Sequence, residues 1–373
     1  MNVRLVRRKS STFHDFPYAC PQRKCIHSWI VNVTPPGASH CIHRCVYCYA
    51  RDAVFARPSG DVLEVYANLP ELVERDLDRI SLCPPVSISN TTDPCQAVAE
   101  VRRETARLVR LLVARGVSVL IVTKGDATFL LDVPGFASHR NCVVATTIEG
   151  PPEVLGLLSP HAPSFAERMA SVRQLSAAGV KTAVRLDPLL PHAWEALYGP
   201  HWLDQADALL RRFAAVGCTH VICSTGRLAA APGRGQGQAS LDRLAALVAP
   251  RDPAAAMAMR QDYVFDRSGT SVGYLLRRPT RLALHRQLRS LCEAAGMTYA
   301  TCQENAASET DSSGLPNCEG HALPFCAKTL GGRFAPVEGC TALCHVNCRG
   351  LERPPCGRGE LVSAQPLRLS LLR

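Results

Sequence analysis

SVLIVT at residues 118–123 and CVVATT at residues 142–147 are short apolar runs rich in β-branched side chains. Such runs, separated by helix-like segments, are typical of the buried strands of a parallel sheet with crossover helices. Four similar runs lie on either side of this pair: residues 28–33 (SWIVNV), 86–89 (VSIS), 182–186 (TAVRL) and 219–223 (THVIC). The sequence therefore predicts six strands of one parallel sheet.

Helix-like segments separate most of these runs. Apolar residues recur at three- and four-residue spacing in residues 69–80, 97–115, 164–178 and 202–216. Together the strands and helices predict an α/β fold, a partial (β/α)6 TIM-like barrel. In such folds the functional sites lie in the loops that follow the strands.

The composition divides the chain into three predicted regions. We expect an N-terminal extension at residues 1–27, the partial barrel at residues 28–298 and a Cys-rich region at residues 299–373. A Gly-rich loop at residues 233–237 (GRGQG) interrupts the last part of the barrel pattern. The Cys-rich region has few long apolar runs, so a metal centre is the simplest way to hold it together.

The bulk composition is that of a globular protein, since 47% of the 373 residues are hydrophobic and 20% are charged. The chain has no apolar stretch long enough to span a membrane, and its basic start lacks the apolar segment of a secretory signal. We therefore expect a cytoplasmic protein with no membrane partner. The net charge of +10 is spread along the chain, so nucleic acid is a possible partner that the pattern does not favour.

The chain contains 18 cysteines, which suggests metal binding because a reducing cytosol does not favour structural disulfides. Cys142, Cys218 and Cys223 lie in or beside apolar runs, and we interpret them as small buried side chains. Cys20 and Cys25, in the segment CPQRKC, can either add metal ligands or have a structural role.

Residues 41–48 form the tightest cysteine group, CIHRCVYC, with the spacing C-x3-C-x2-C. This spacing differs from the paired C-x2-C sets of structural zinc sites. Cys41, Cys45 and Cys48 can instead hold three irons of a 4Fe-4S cluster and leave the fourth iron open to a non-protein ligand. A zinc site would need a fourth ligand, for which His43 is a weak candidate.

The same loop resembles that of the radical S-adenosylmethionine (SAM) superfamily, in which an aromatic residue, here Tyr47, precedes the third cysteine. Further segments resemble, in order, the spore photoproduct lyase-like branch, also called DNA repair photolyase-like: residues 64–77 (EVYANLPELVERDL), 89–94 (SNTTDP), 121–126 (IVTKGD), 146–150 (TTIEG) and 159–180 (SPHAPSFAERMASVRQLSAAGV). The resemblance implies a 4Fe-4S cluster and SAM as cofactors, and an electron donor such as flavodoxin or ferredoxin. It also implies cleavage of SAM to a 5′-deoxyadenosyl radical.

The resemblance assigns site residues by position. The implied contacts to the cluster and SAM are Tyr47, Tyr49, Thr92, Lys124, Thr147 and Arg185. Lys124 suits this role because an ammonium beside the SAM carboxylate makes a charge-assisted contact. Arg185 and Asp187, in RLDP, can bind SAM or substrate, and an ordinary strand-end salt bridge is an equal alternative.

One position departs from the lyase pattern. In the lyase, a cysteine in the region that corresponds to SNTTDP returns a hydrogen atom to the thymine dimer radical. Asn90 occupies the nearest position here, and its side chain is a poor hydrogen-atom donor. Cys95 follows five residues later and would serve only if the loop bent it back. We therefore expect the shared radical-generating step without thymine dimer repair.

The C-terminal extension, which simple lyase-type relatives lack, carries seven candidate metal ligands: Cys302, Cys318, Cys326, Cys340, Cys344, Cys348 and Cys356. Thiolates at this density suit an auxiliary iron–sulfur cluster, with zinc as the main competitor. Seven thiols exceed the four of one full site, so some are spectators or a second cluster is present. Three cysteine ligands would favour substrate binding or sulfur donation, and four would favour electron transfer.

Three functions remain open at this point. The first is hydrogen abstraction from a small nucleoside-like or natural-product substrate, with the auxiliary cluster used for oxidation or sulfur transfer. The second is radical SAM modification of a peptide side chain. The third is a zinc-containing nucleic-acid-binding protein whose basic side chains bind phosphates.

Overall fold

The computed structural model describes residues 2–13, 25–52, 60–229, 240–266, 273–362 and 367–373. The Gly-rich loop predicted at residues 233–237 and the thiol of Cys20 lie outside these ranges. The strands are β1 (Asn2–Val6), β2 (Trp29–Val31), β3 (Val62–Tyr66), β4 (Leu82–Cys83), β5 (Val86–Ile88), β6 (Val119–Thr123), β7 (Cys142–Thr147), β8 (Lys181–Leu186), β9 (His220–Cys223), β10 (Leu228–Ala229), β11 (Tyr263–Asp266), β12 (Gly273–Leu276), β13 (Thr298–Thr301), β14 (Cys326–Lys328) and β15 (Phe334–Pro336). The helices are α1 (Tyr49–Asp52), α2 (Leu69–Asp78), α3 (Ala99–Arg115), α4 (Pro152–Leu158), α5 (Phe165–Ala177), α6 (Pro191–Tyr198), α7 (Trp202–Ala215), α8 (Ser240–Val248), α9 (Pro253–Asp262), α10 (Arg278–Ala294), α11 (Ala307–Thr310) and α12 (Cys344–Asn347). Within the described ranges, no helix has both the length and the apolar character that crossing a membrane requires.

The core of the fold is a seven-stranded sheet with the order β13-β9-β8-β7-β6-β5-β2. All neighbouring strands in it are parallel. The six predicted strands all belong to this sheet, and α2, α3, α5 and α7 begin and end within two residues of the predicted helices. The prediction of an α/β fold of the partial-barrel type is therefore confirmed.

The seventh strand, β13, is missing from the sequence prediction. Its sequence is only TYAT, too short and too polar to stand out as a buried run. It pairs in parallel with β9 after the crossover helix α10. Because β13 spans the predicted boundary between residues 298 and 299, the Cys-rich region begins inside the sheet.

The two faces of the sheet pack against different parts of the chain, because successive residues of a strand point to opposite faces. Val184 and Val221 lie in a core with apolar side chains of the helices from α4 to α10. Ala183 and Ile222, on the other face, share a core with the Cys-rich region, including Phe325. Apolar packing therefore holds this region to the barrel, which its sequence did not indicate.

Two small sheets attach the ends of the chain to the barrel. The N-terminal strand β1 pairs in parallel with β3. In the Cys-rich region, β14 lies between β15 and β4 in an antiparallel sheet, where Cys326 faces Cys83. Both ends of the chain are thus tied to the first half of the barrel.

Candidate functional site

The cysteine loop, residues 41–48, follows β2 on the side of the sheet where the strands end. The buried amide of Gln96 clamps the loop on both sides of its first cysteine. It accepts a hydrogen bond from the backbone N–H of Ile42 at 2.8 Å and donates one to the carbonyl of His40 at 3.1 Å. The N–H of Val46 donates to the carbonyl of the last residue of α4 at 3.0 Å. These bonds fix the loop backbone against the barrel.

The three thiols of the loop differ in exposure, since Cys45 is buried while Cys41 and Cys48 are half-buried. Burial raises the pKa of Cys45 to about 11, although Lys124 opposes the rise. Burial and the charge of Asp93 also raise the pKa of Cys41. Iron binding would relieve this unfavourable ionisation, because metal-bound thiols are deprotonated.

Three soft thiolates on a partly exposed loop fit a cluster in which one iron lacks a cysteine ligand. Among the residues that the structure describes, no three Cys, His, Asp or Glu side chains are placed to hold one single metal ion. A cubane makes a different demand, because each thiolate binds its own iron. The donor set of the loop therefore fits the predicted cluster.

Asp93, in the SNTTDP segment, is a buried hub between the loop and two strand ends. Its carboxylate accepts hydrogen bonds from the Thr123 hydroxyl at 2.6 Å and from the Lys124 N–H at 2.5 Å. His43 Nε2, from the cysteine loop, lies 3.2 Å from it. Burial alone would raise the pKa of Asp93, but His43 and these hydrogen bonds outweigh burial and lower the pKa well below its usual range. The carboxylate therefore stays charged and ties the loop to β6.

Glu149, in the TTIEG segment, is a second buried hub, just after β7. Its carboxylate pairs with Arg168 at 2.6 Å, lies 3.8 Å from Lys124 Nζ and accepts a hydrogen bond from the Tyr47 hydroxyl. Burial alone would raise the pKa of Glu149, but Arg168 and Lys124 outweigh it and lower the pKa. Lys124 Nζ also lies 5.4 Å from the centroid of the Tyr47 ring. Glu149 thus couples the Lys124 ammonium to the cysteine loop.

The other predicted SAM contacts lie along the same edge of the sheet. Thr92 is buried and accepts a hydrogen bond from the Thr34 hydroxyl at 2.6 Å. Thr147 ends β7, also buried. Tyr49 is 50% exposed, and its hydroxyl donates to the carbonyl of Asn90 at 2.6 Å. The structure therefore brings Tyr47 and Lys124 together, places Thr147 at the end of β7 and Thr92 just after β5, and puts Tyr49 at the start of α1, directly after the loop.

Arg185 is the cross-strand neighbour of Thr147 in β8. Its guanidinium lies 2.8 Å from the Asp187 carboxylate and 3.2 Å from that of Glu319, and it donates to Cys302 Sγ at 3.1 Å. The structure therefore contains the strand-end salt bridge that the sequence left as an alternative. This salt bridge joins the barrel to the Cys-rich region.

Two groups contain most of the candidate ligands outside the loop. The four-cysteine group is Cys340, Cys344, Cys348 and Cys356, and the three-cysteine group is Cys25, Cys302 and Cys318. Burial raises the pKa of Cys344, and the charges of the other three members of its group raise it further. In the second group, the charge of Cys25 likewise adds to the rise in the pKa of Cys302 and of Cys318, after burial and their charged neighbours. The Arg185 guanidinium contacts both Cys302 Sγ and the carboxylate of Glu319, which lies 3.9 Å from Cys318 Sγ.

The four-cysteine group lies towards the opposite edge of the sheet from the loop. The N–H of His27, just before β2, donates to the carbonyl of Ala342 at 2.7 Å. The Ser118 hydroxyl, just before β6, donates to the carbonyl of Pro324 at 2.8 Å. Cys326, the remaining predicted ligand, lies in β14, and its thiol is 3.5 Å from the same hydroxyl. The four-cysteine group thus lies at the edge of the sheet where the strands begin. The cysteine loop lies at the edge where the strands end.

Sequence analysis did not single out four residues that organise the site: Gln96, Asp93, Glu149 and Arg168. Asp93 and Glu149 lie inside segments quoted for the family resemblance, and each follows a buried strand. An acidic residue just after a buried strand could have indicated a functional-site residue, because the ends of parallel strands meet at one edge of the sheet. Gln96 and Arg168 carry no such signal, since their partners are backbone carbonyls and a carboxylate distant in sequence.

No protein-family model matches the chain, but comparison with known proteins finds several relatives. A radical SAM Nα-GlyT isomerase of Pseudomonas phage M6 is 23% identical over 368 residues, which span 93% of this chain and 72% of that protein. An uncharacterised protein of Mycobacterium tuberculosis is 30% identical over 199 residues, which span 50% of this chain and 56% of that protein.

Solved structures of spore photoproduct lyase share the fold. A mutant of that lyase superposes with a TM-score of 0.57 at 17% identity, covering 81% of this chain and 82% of the lyase. The lyase complexed with a dinucleoside spore photoproduct gives a TM-score of 0.55 at 15% identity and the same coverage. The chain is thus similar in sequence to a radical SAM isomerase over most of its length and shares its fold with spore photoproduct lyase.

Proposed function

We propose that the chain reductively cleaves SAM to a 5′-deoxyadenosyl radical, which abstracts a hydrogen atom from a nucleoside-like or natural-product substrate. Cys41, Cys45 and Cys48 would hold a 4Fe-4S cluster that, when bound, supplies the open iron for SAM and the electron for its cleavage. A donor such as flavodoxin or ferredoxin would supply that electron. The observation that carries the proposal is the three-thiol loop, clamped by Gln96 and linked through a buried carboxylate to Lys124.

Lys124 is the residue that we assign to the SAM carboxylate. Its side chain is 16% exposed, so the ammonium can reach a ligand, whereas Glu149 is fully enclosed. Burial alone would lower the pKa of Lys124, but the charges of Cys45 and Glu149 outweigh it and raise the pKa. The ammonium therefore stays protonated. Glu149 and Tyr47 act as positioning residues that hold it beside the loop.

A small nucleoside-like substrate is the substrate class that the relatives favour. The phage relative is named an isomerase of Nα-GlyT, and the lyase structure contains a dinucleoside. Thymine dimer repair remains disfavoured for this chain. Asn90 stands at the hydrogen-donor position, and Cys95, which would have to replace it, is fully buried with a raised pKa that follows from that burial.

The four-cysteine group is our candidate for the auxiliary iron–sulfur cluster. Cys340, Cys344 and Cys348 are all buried, and Cys356 completes a set of four thiols. Four thiolates satisfy one full cluster, which favours oxidation by electron transfer over sulfur donation. Zinc is the competing metal, but it would need the four thiolates around one ion, and the described residues contain no such arrangement.

Anaerobic purification and product analysis test the proposal. We expect a brown protein that forms 5′-deoxyadenosine when dithionite and SAM are added. Lys124→Met should lose most of this product by weakening SAM binding, whereas Lys181→Met, at the start of β8, should leave it unchanged. A colourless protein that contains stoichiometric zinc and retards DNA in a gel would contradict the proposal and favour a nucleic-acid-binding protein.

A further inference from the structure

His27 lies just before β2 and is fully buried, with an exposed fraction of 0%. Neither Nδ1 nor Nε2 of its ring has a hydrogen-bond partner among the residues that the structure describes. Buried polar atoms without a partner are rare in folded proteins, and a bound ion or water molecule is one explanation for them. The ring of His27 therefore requires a partner other than the described protein atoms.

Two contacts join His27 to the Cys-rich region. Its backbone N–H donates to the carbonyl of Ala342 at 2.7 Å. Its ring lies beside that of His345 in α12, with 5.8 Å between the ring centroids and 42° between the ring planes. Cys344 directly precedes His345, and Cys348 lies one helical turn after Cys344, to whose carbonyl its N–H donates at 3.1 Å. His27 thus contacts the short segment that carries two members of the four-cysteine group.

The spacing of the two imidazole rings suits a shared metal ion. Metal–nitrogen bonds of about 2.1 Å place the centre of a bound imidazole about 3.2 Å from the metal, so two rings on one metal lie at most about 6.4 Å apart. The observed separation of 5.8 Å is within this limit. Ordinary ring packing gives similar distances, but within the described ranges it leaves both nitrogens of His27 without a partner. Metal binding would use one of these nitrogens.

We propose that His27 and His345 bind one iron of a two-iron cluster and that Cys344 and Cys348 bind the other. Among the described residues, no three Cys, His, Asp or Glu side chains surround one ion. A two-iron cluster meets this limit, because each iron takes two protein ligands and a histidine pair can replace the cysteine pair on one iron. The inference rests on the proposed auxiliary cluster and replaces two of its four thiolates with imidazoles.

Imidazole ligands change the redox properties of such a cluster. Two histidines in place of two thiolates raise the reduction potential of a two-iron cluster. We therefore expect the auxiliary cluster to be reduced at a higher potential than the loop cluster, which has only thiolates from the protein. His27→Cys restores a thiolate at this position and should lower the potential of the auxiliary cluster alone. Redox titration followed by electron paramagnetic resonance measures both potentials.

The decisive test uses the C41A/C45A/C48A variant, in which the loop cluster cannot form, labelled with ¹⁵N-histidine and reconstituted anaerobically with iron and sulfide. We expect about two irons per chain and, after reduction, strong coupling to two ¹⁵N nuclei in pulsed electron paramagnetic resonance. Adding His27→Leu should remove one coupling or the whole signal. Adding His201→Leu, at an exposed histidine directly before α7, should leave both couplings. A lack of iron, about four irons without ¹⁵N coupling, or couplings that His27→Leu leaves intact would overturn the inference.

Unfolding of the full chain separates a metal ligand from a structural residue. Before reconstitution, His27→Leu should not lower the urea midpoint, because it removes a buried ring that has no hydrogen-bond partner in the described ranges. Reconstitution should raise the midpoint of the parent variant more than that of His27→Leu, because metal binding stabilises the folded state. A lower midpoint before reconstitution would mean that His27 bonds to a buried water molecule, which contradicts the site. The proposed function fails separately, when the wild type forms no 5′-deoxyadenosine.

Discussion

The cysteine loop and the Cys-rich region place their cysteines against the barrel in opposite ways. In the loop, residues 41–48 supply three thiols from one contiguous segment, which buried polar residues clamp to the strand ends. In the Cys-rich region, apolar side chains such as Phe325 pack against one face of the sheet and hold the cysteine-bearing segments there. The first arrangement is local and polar, and the second is long-range and apolar.

The difference predicts how each region responds to amino-acid substitutions. The ligands of a loop cluster would depend on the loop and on the buried side chains that hold it, chiefly Gln96, Asp93 and Glu149. The proposed cluster of the Cys-rich region would depend on the fold of the whole barrel. The two regions are therefore separable by mutation, and the separation gives the following predictions.

The largest expected effect separates radical formation from later steps. C41A/C45A/C48A should form no 5′-deoxyadenosine above the level of a control without protein. C340A/C344A/C348A/C356A should still form it with dithionite as reductant, because the four-cysteine group lies towards the opposite edge of the sheet. The measurement is chromatographic quantification of 5′-deoxyadenosine under anaerobic conditions. Equal loss in both variants would remove the functional distinction between the two regions.

Structural features formed by neighbouring residues can be predicted well from the sequence. Six strands, four crossover helices and the cysteine loop follow from hydrophobic spacing and one motif, because each is encoded by neighbouring residues. The placement of Cys302 beside Cys223 does not follow in this way, because it depends on β13 joining β9. TYAT gives almost no strand signal, so the topology that gathers these thiols is not readable from composition or spacing.

The second largest effect is expected on the free energy of unfolding, when the buried charge of Glu149 is removed. Glu149→Gln should lower the free energy of unfolding by about 3 kcal/mol, because it leaves the Arg168 guanidinium buried without its charged partner. The midpoint of urea unfolding measures this loss. Glu153→Gln removes an exposed carboxylate that accepts a hydrogen bond from the Tyr198 hydroxyl, so its cost should stay below about 1 kcal/mol. If both variants lost a similar free energy of unfolding, Glu149 would not be the residue that supports the loop.

The effect of Glu149→Gln should also depend on pH. The pKa of Glu149 is lowered from its ordinary value of 4.5 because Arg168 and Lys124 outweigh the opposing effect of burial. A carboxyl with a lowered pKa contributes its full stability above its unfolded pKa and loses it as the pH falls through the folded value. The difference in unfolding free energy between wild type and variant should therefore be constant above pH 4.5 and shrink below it. A difference that grows with acid would contradict this sign.

The smallest effect should be confined to the loop. Gln96→Met keeps the length of the side chain but removes its hydrogen bonds to Ile42 N–H, to the His40 carbonyl and to the Asp93 carbonyl. Unpaired buried groups cost about 1–3 kcal/mol each, and relaxation of the loop should recover part of that cost. Because the clamp touches only the loop and its neighbour, we expect a chelator to remove loop iron several times faster than in wild type. Iron in the Cys-rich region should leave at the wild-type rate, as should all iron in the exposed control Gln174→Met. Faster release from both regions would mean that Gln96 supports the whole barrel, and the contrast between a local and a long-range metal site would no longer hold.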